Sequence, residues 1–386
     1  MSKLSTSQTF LKAIGAKIPI IQAPMAGIST PELSYVVQKT GGIGSIPFGG
    51  VDLTKGIGPL VKLIEDFKSL SSDSNIVNLN FFCHDYKEQA RPLDEQKKNW
   101  ISLLEESSGS VIGDLVNFRN ANVSLTEIED RYLEIFSELL QYLCDYRPKM
   151  VSFHFGHPSK NAISILKDNQ IMVFVTATSV LEAKYLVDLG VDGLILQGFE
   201  AGGHRGNFLT TTLLDECLST SALFKQVKRH LGQNADKVHL VPSGGIVDGE
   251  TIASYLSQGA SAVQLGTTFL TVPESNSSDF IKNRILQHNG EPTIMTSLVS
   301  GKPARALRTK FLKDLVSYYD KTPTIQTQPP YGWAYSAYKQ LAQIKKDPQL
   351  GFYLAGQNYT LIDPTLNTEQ VMKKLSSEIN NKNSST

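Results

Sequence analysis

The sequence predicts an α/β fold, a (β/α)8 TIM barrel carrying a smaller helical subdomain, on three observations. Eight short apolar, β-branched runs recur along the chain, each nearly continuous rather than alternating, as strands covered on both faces require. Segments with helix-start residues and three- and four-residue apolar spacing separate these runs. Glycines gather just after the late runs, at the barrel end where ligand-binding loops lie. The chain has 386 residues, more than the ~250 of a plain barrel, which leaves room for additions.

The first run is Ile18–Met25, and Thr30 followed by Pro31 and Glu32 caps the next helix. Gly42–Phe48 and Ile76–Cys83 are the second and third runs. A polar, helix-prone stretch of about 84–123 around Trp100 does not fit the repeat and reads as a surface insertion. Ser124 with Glu127 then opens a helix whose Ile128, Tyr132, Leu133, Phe136, Leu139, Leu140 and Leu143 mark one wide buried face. Met150–Gly156 and Ile171–Ala177 follow, and Ser179 with Glu182 starts another helix. Gly193–Gly198, Val238–Gly244 and Ala262–Leu270 complete the set, so the barrel spans 1–273.

Beyond it, 274–340 is Pro-rich and carries Tyr331, Trp333, Tyr335 and Tyr338. It reads as a helical lid or substrate subdomain whose aromatics either line the barrel mouth or pack a helix against it. Residues 341–375 read as a segment returning to the barrel, and 376–386, S-S-E-I-N-N-K-N-S-S-T, as a frayed tail.

Composition narrows the function classes. Lys+Arg and Asp+Glu number 37 each, so no basic excess is available to hold nucleic acid or an anionic membrane. No apolar run approaches the ~18–20 residues of a membrane span. Cys83, Cys144 and Cys217 share no C-x-x-C spacing, which points away from disulfides or a zinc site and toward a reducing, cytoplasmic setting.

The chemistry concentrates at strand ends. Q-G-F-E-A-G-G-H-R-G (Gln197 to Gly206), S-G-G-I (Ser243 to Ile246) and Q-L-G-T (Gln264 to Thr267) place glycines on late strands. Backbone amides there can approach a phosphate with no β-carbon in the way. A-P-M-A-G (Ala23 to Gly27) puts Met25 on the first turn, where its thioether suits a flat ligand or the core. His154 and His157 form an H-x-x-H, but no Cys or carboxylate completes a ligand set, so no metal is expected. His204 lies in the glycine loop beside Arg205 and Glu200, expected exposed, as a base, an anion partner or a structural histidine. Neither a G-x-S-x-G elbow nor a G-x-G-x-x-G fingerprint is present.

Together I-I-Q-A-P-M-A-G-I, S-T-P-E-L-S-Y-V-V-Q-K-T-G-G-I-G, V-S-F-H-F-G-H-P and Q-G-F-E-A-G-G-H-R-G resemble the signature segments of class I nitronate monooxygenases, formerly 2-nitropropane dioxygenases, in detail those of fungi. The resemblance runs from about Ile18 to Gln357. It implies FMN held noncovalently in the barrel, with Met25 contacting the ring by its backbone and Asn80 and Gln197 bonding the ring or ribityl. Gly202, Gly245, Gln264, Leu265, Gly266 and Thr267 would surround the phosphate. His204 matches the family's active-site histidine, with His154, Ser300 and Lys302 about the substrate. The implied reaction takes an alkyl nitronate, of the propionate 3-nitronate class, and O2 through a flavin semiquinone to a carbonyl compound and nitrite, with neutral nitroalkanes deprotonated by some members. Two residues depart from the pattern: Ile28 replaces a glycine and Lys302 an arginine. Competing readings are an FMN-dependent NAD(P)H enoyl-thioester reductase, a flavin-binding protein without turnover, and a phosphosugar isomerase with Glu200 as base. No protein partner is legible.

Overall fold

In a computed structural model, which describes residues 5–87, 91–109, 111–113, 116–210, 214–322 and 328–383, the chain begins by closing the floor of a barrel. Ser5 and Gln8 form a capping box on α1 (Thr6–Ile14). Its Phe10 and Ile14, both fully buried, pack on Ile21, Ile43, Met150, Phe174, Ile195, Val241 and Ala262.

The staves are β1 (Ile20–Gln22), β2 (Gly44–Pro47), β3 (Val77–Phe82), β4 (Met150–His154), β5 (Met172–Ala177), β6 (Gly193–Gln197), β8 (His239–Ser243) and β9 (Val263–Leu265), with the short β7 (Gly203–His204) lying outside the ring. All pair in parallel, in the order β1-β9-β8-β6-β5-β4-β3-β2. A parallel bridge from Ile21 to Ile43 completes the ring. Each predicted run contains one of these strands, and the TIM barrel is present as expected.

The helices around it are α2 (Pro31–Lys39), α3 (Gly58–Ser71), α5 (Leu125–Arg131), α6 (Leu133–Tyr146), α7 (Lys160–Asp168), α8 (Val180–Leu189), α9 (Thr220–Leu231) and α10 (Gly249–Ser257); α4 (Asp94–Ser108) stands apart from them. Thr30 and Ser179 cap α2 and α8, accepting from Leu33 N and Glu182 N at 3.0 and 3.2 Å. Ser124 instead bonds Thr126 Oγ1 at 2.8 Å, and its side chain caps no amide. The single helix expected before the fourth strand is two, because Tyr132 leaves helical geometry (φ −127°, ψ 56°). That break turns Leu133 outward, 69% exposed, while Ile128, Phe136, Leu139 and Leu143 stay buried.

A second body packs beside the barrel. It contains α11 (Asp279–Leu286), β10 (Thr293–Thr296), β11 (Ala304–Leu307), α12 (Lys310–Lys321) and α13 (Tyr331–Lys345). The 274–340 stretch is therefore not purely helical: β10, β11 and β7 make a three-stranded antiparallel sheet. Nor is 84–123 a surface insertion. Trp100 on α4 is 1% exposed, donates to Leu298 O at 2.9 Å and packs with Leu298, Phe311, Leu312 and Leu315. Two distant stretches thus share one core.

The chain returns through Phe352 to Asn358, bridging Leu354 to Ala306, and ends in α14 (Thr368–Asn383). The tail expected to fray is helical through Asn383, since Met372, Leu375 and Ile379 enter the barrel core and the Glu378 carboxylate accepts from Gly249 N at 2.7 Å; residues 384–386 lie outside the described set. Among the described residues no helix is long and apolar enough to cross a membrane. None of their His, Cys, Asp or Glu side chains cluster to hold a metal.

Candidate active site

A cavity of about 870 Å³ opens at the C-terminal ends of the strands. Glycines bend the chain around it, with Gly203, Gly244 and Gly245 at φ of 84°, 119° and 69°, a region hostile to side chains. Gly202 answers a second constraint: a β-carbon there would meet the Ala355 carbonyl carbon at 2.5 Å. The returning segment is tied across these loops by Gly356 N to Thr267 Oγ1 (2.8 Å), Gln357 N to Glu200 O (3.0 Å) and Asn358 Nδ2 to Gly245 O (2.6 Å). The backbone N–H groups of Gly202, Gly245, Gly266 and Thr267 have no acceptor among the described residues. Four amides facing one cavity without acceptors suit an anion such as a phosphate.

Other predicted residues stand around the same space. Asn80 Nδ2 donates to Ser152 Oγ at 2.9 Å and its buried Oδ1 has no partner. Gln264 Oε1 accepts from Ser243 Oγ at 3.2 Å, and its buried Nε2 is equally unpaired. A flavin, with donors and acceptors along its ring edge and ribityl chain, fits these orphaned atoms and the amide cradle. Met25 lines the cavity, but its N–H bonds Ser29 Oγ (3.0 Å) and its carbonyl receives Ile28 N and Ser29 N, so its sulfur rather than its backbone is available to a ring. Leu265 does not line it. Alternation along β9 turns Leu265 into the core beneath the helices while Gln264 faces in.

His204 departs most from expectation. It is on strand β7, paired with Ala304 of β11, and 9% exposed rather than on an open loop. Its carbonyl receives Gln197 Nε2 (3.0 Å) and His154 Nε2 (3.3 Å), while Gln197 Oε1 accepts from Gly206 N (2.8 Å). Next to it Arg205, buried, grips Asp215 through two bonds of 2.7 and 2.9 Å. Glu200, meanwhile, is committed to Thr220 N and Oγ1 at 2.9 and 3.1 Å.

Counting protons assigns the tautomers. Ser300 Oγ donates to Lys302 O at 2.9 Å, so it accepts from His204 Nε2–H at 2.9 Å. His204 Nδ1 then carries the lone pair and has no partner among the described residues. Burial, with the nearby charges, pushes His204 down to about 3 and His154 to about 4. Both are neutral at pH 7. Ser300 is fully buried behind His204 and is not on the cavity wall; neither is Lys302, whose ammonium sits 5.1 Å from the Phe155 ring. His157 turns away to Tyr185 OH at 3.1 Å, so the H-x-x-H pair does not converge.

The other wall carries Tyr331 and Tyr335, which the sequence offered as aromatics that line the barrel mouth or pack a helix against it; sequence reasoning missed Phe352 and Lys339 beside them. Tyr331 and Tyr335 each lie 5.1 Å from the His204 ring, with Phe155 at 6.1 Å and Phe352 at 6.3 Å. Phe155 reaches this place with φ of 68°, a strained value for a bulky residue. Lys339, on the cavity wall, holds its ammonium 4.2 Å from the Tyr335 ring and 3.4 Å from Asn122 Oδ1, and desolvation lowers its pKa. The available signal was spacing: Tyr331, Tyr335 and Lys339 fall at four-residue steps on one face of α13.

Comparison with known proteins agrees with this architecture. Residues 8–378 match the family model described as nitronate monooxygenase. The chain is 38% identical over 388 residues to a putative nitronate monooxygenase of Saccharomyces cerevisiae, covering 97% of this chain and 93% of that one. It is 34% identical over 332 residues to a nitronate monooxygenase of Pseudomonas aeruginosa, covering 86% and 87%. A solved nitroalkane oxidase from Streptomyces ansochromogenes superposes with a TM-score of 0.79 at 26% identity, covering 98% of this chain and all (100%) of that one. FabK from Thermotoga maritima, at 21% identity and TM-score 0.69 with 100% and 98% covered, shares the fold.

Proposed function

The chain belongs to the nitronate monooxygenase family, and from that premise we propose that it oxidises small alkyl nitronates with O2 and FMN to a carbonyl compound and nitrite. Carboxylate-bearing nitronates of the propionate 3-nitronate type are its preferred class. One observation carries the reading: a single cavity joins four unpaired amides to a neutral histidine and a lysine.

The amides of Gly202, Gly245, Gly266 and Thr267 would hold the FMN phosphate, and the Thr267 hydroxyl, which accepts from Gly356 N, keeps its own proton to donate. Asn80 Oδ1 and Gln264 Nε2 supply one acceptor and one donor to the ring or ribityl. The flavin, when bound, takes electrons from the nitronate and passes them to O2.

The chain's own work is to seat an anion in a dry place. Phe155, Tyr331, Tyr335 and Phe352 exclude water around His204, which strengthens every charge interaction there. Lys339 supplies the cation for a substrate carboxylate. A nitronate arriving beside His204 opposes the forces that keep the ring neutral, so the histidine takes up a proton from solvent at Nδ1 and keeps it, donating a hydrogen bond from Nδ1–H to a nitronate oxygen. Presented instead with a neutral nitroalkane, the same Nδ1 lone pair is placed to remove the α-proton.

The test is an anaerobic absorbance spectrum of the purified protein. Propionate 3-nitronate, and not NADH, is expected to change the flavin band, and admitting O2 restores it as nitrite appears. Bleaching by NADH with no response to nitronate, or no flavin bound after reconstitution with FMN, overturns the proposal.

A further inference from the structure

Among the described residues that line the main cavity, Lys339 is the one lysine or arginine, and no aspartate or glutamate joins it. Two groups hold its ammonium: the Tyr335 ring, 4.2 Å away, and the Asn122 side-chain oxygen, which accepts from Nζ at 3.4 Å. Neither is an anion. No carboxylate pairs with Lys339 among the described residues, so its charge is not cancelled. Asn122 stands on the loop that leads into α5, outside the cavity lining and 6% exposed. Its backbone carbonyl accepts from His84 Nε2, just past β3, at 3.1 Å. Gln340, next to Lys339 on α13, grips the same loop: its side chain accepts from Asn117 N at 3.0 Å and donates to Asn117 O at 2.8 Å. Loop and helix are thus tied together, with the Asn122 amide oxygen set against the lysine.

Packing alone does not account for an asparagine here. Its Nδ2 is buried with no partner among the described residues, and an orphaned buried donor is unfavourable where an apolar side chain would carry no such penalty. The amide is suited instead to the ammonium beside it. A cation drawn partly out of water needs an acceptor, and desolvation already lowers the Lys339 pKa. A carboxylate at position 122 would meet that need by forming an ion pair, and would then compete with any anionic ligand for the lysine. An amide oxygen meets it and leaves the positive charge for the cavity. We propose that Asn122 is the positioning residue that aims Lys339 while leaving its charge available, and that it thereby sets a preference for nitronates bearing a carboxylate. The inference rests on the anion role given to Lys339 in the function proposed above.

The experiment measures kcat and KM for propionate 3-nitronate and for ethyl nitronate with full-length, FMN-loaded enzyme. The wild type is compared with Asn122→Asp, Asn122→Ala, Lys339→Met and the double variant Asn122→Ala/Lys339→Met, with bound flavin and melting temperature determined for each. Asn122→Asp should raise KM for propionate 3-nitronate about tenfold, the loss of one charge-assisted contact, and shift kcat and the ethyl nitronate constants much less. Asn122→Ala, which releases the lysine but keeps its charge, should raise the same KM about threefold. In the Lys339→Met background Asn122→Ala should cause no further loss. If Lys339→Met is selective for the carboxylated substrate while both Asn122 variants keep the wild-type KM, this inference alone is overturned. Asn122 variants that impair both nitronates equally mark a structural residue and also overturn it. Lys339→Met acting alike on both substrates, or a wild type that turns over neither, overturns the anion role of the lysine and this inference with it. Should Asn122→Asp fail to fold, Asn122→Ala decides: a KM for propionate 3-nitronate no higher than that of the wild type overturns the proposal.

Discussion

Replacing Ser300 with alanine tests whether His204 acts through an imposed tautomer. The Ser300 hydroxyl is fully buried, 2.9 Å from His204 Nε2 and 2.9 Å from Lys302 O. Its removal leaves the buried His204 Nε2–H without its acceptor, and nothing then holds the imidazole proton on Nε2. Leaving one such neutral group without a partner costs about 1–3 kcal/mol. Expressed as loss of the productive tautomer, that is about 5- to 150-fold in kcat/KM. The assay is nitronate turnover in the wild type, Ser300→Ala, His204→Asn and the double variant, with bound flavin measured in each. If Ser300 works only through His204, adding Ser300→Ala to His204→Asn removes nothing further. A Ser300→Ala enzyme within twofold of the wild type, or losses that simply multiply in the double variant, would refute the reasoning.

Other expectations follow from the same geometry. Lys339→Met should raise KM about tenfold for a carboxylate-bearing nitronate and much less for ethyl nitronate; equal effects on both would deny the lysine its anion role. Gly202→Ala must push its β-carbon against the Ala355 backbone, so flavin should dissociate measurably faster, seen as released flavin fluorescence on dilution. His84, His154 and His204 are held at about 4, 4 and 3 by burial, below the ordinary 6.5. All three are neutral when folded and take up protons near 6.5 when unfolded, so their contribution is whole above that pH and is lost as pH falls toward the folded values. The melting temperature should therefore drop between about pH 7 and about pH 5, and a flat profile there would contradict the burial argument. Trp100→Ala should cost about 3–5 kcal/mol in denaturant unfolding, the usual range for a buried large aromatic; a loss under 1 kcal/mol would mean that α4 is a surface element after all.

What could be read from the sequence was whatever local chemistry dictates. A strand covered on both faces must be apolar throughout, so the barrel runs stood out, and glycines that must approach a ligand or adopt positive φ mark their own loops. The break at Tyr132 was hidden because apolar spacing continues across it. Trp100 was hidden for another reason: α4 is polar on most of its surface, and the value of one buried indole depends on a partner nearly two hundred residues away, at Leu298. His204 looked exposed because glycines flank it, yet those glycines let a short strand pair with β11. Lys339 ends the Tyr331 and Tyr335 face of a helix that reads equally well as packing.

The two bodies of the molecule divide the chemistry, and His204 belongs to both. The barrel contributes the amide cradle, and Gln197 and His154 fix the His204 carbonyl. The second body contributes Ser300, which sets the ring proton, and α13, which supplies the aromatic box and the lysine. Because β7 is hydrogen-bonded to β11, any shift of the second core moves His204 relative to the cradle. Under the proposed function, substrate choice would be free to change through α4, α12 and α13 while the glycine loops that would hold the flavin stay as they are. That arrangement places the residues least legible in the sequence on the side of the cavity where the substrate, rather than the flavin phosphate, would lie.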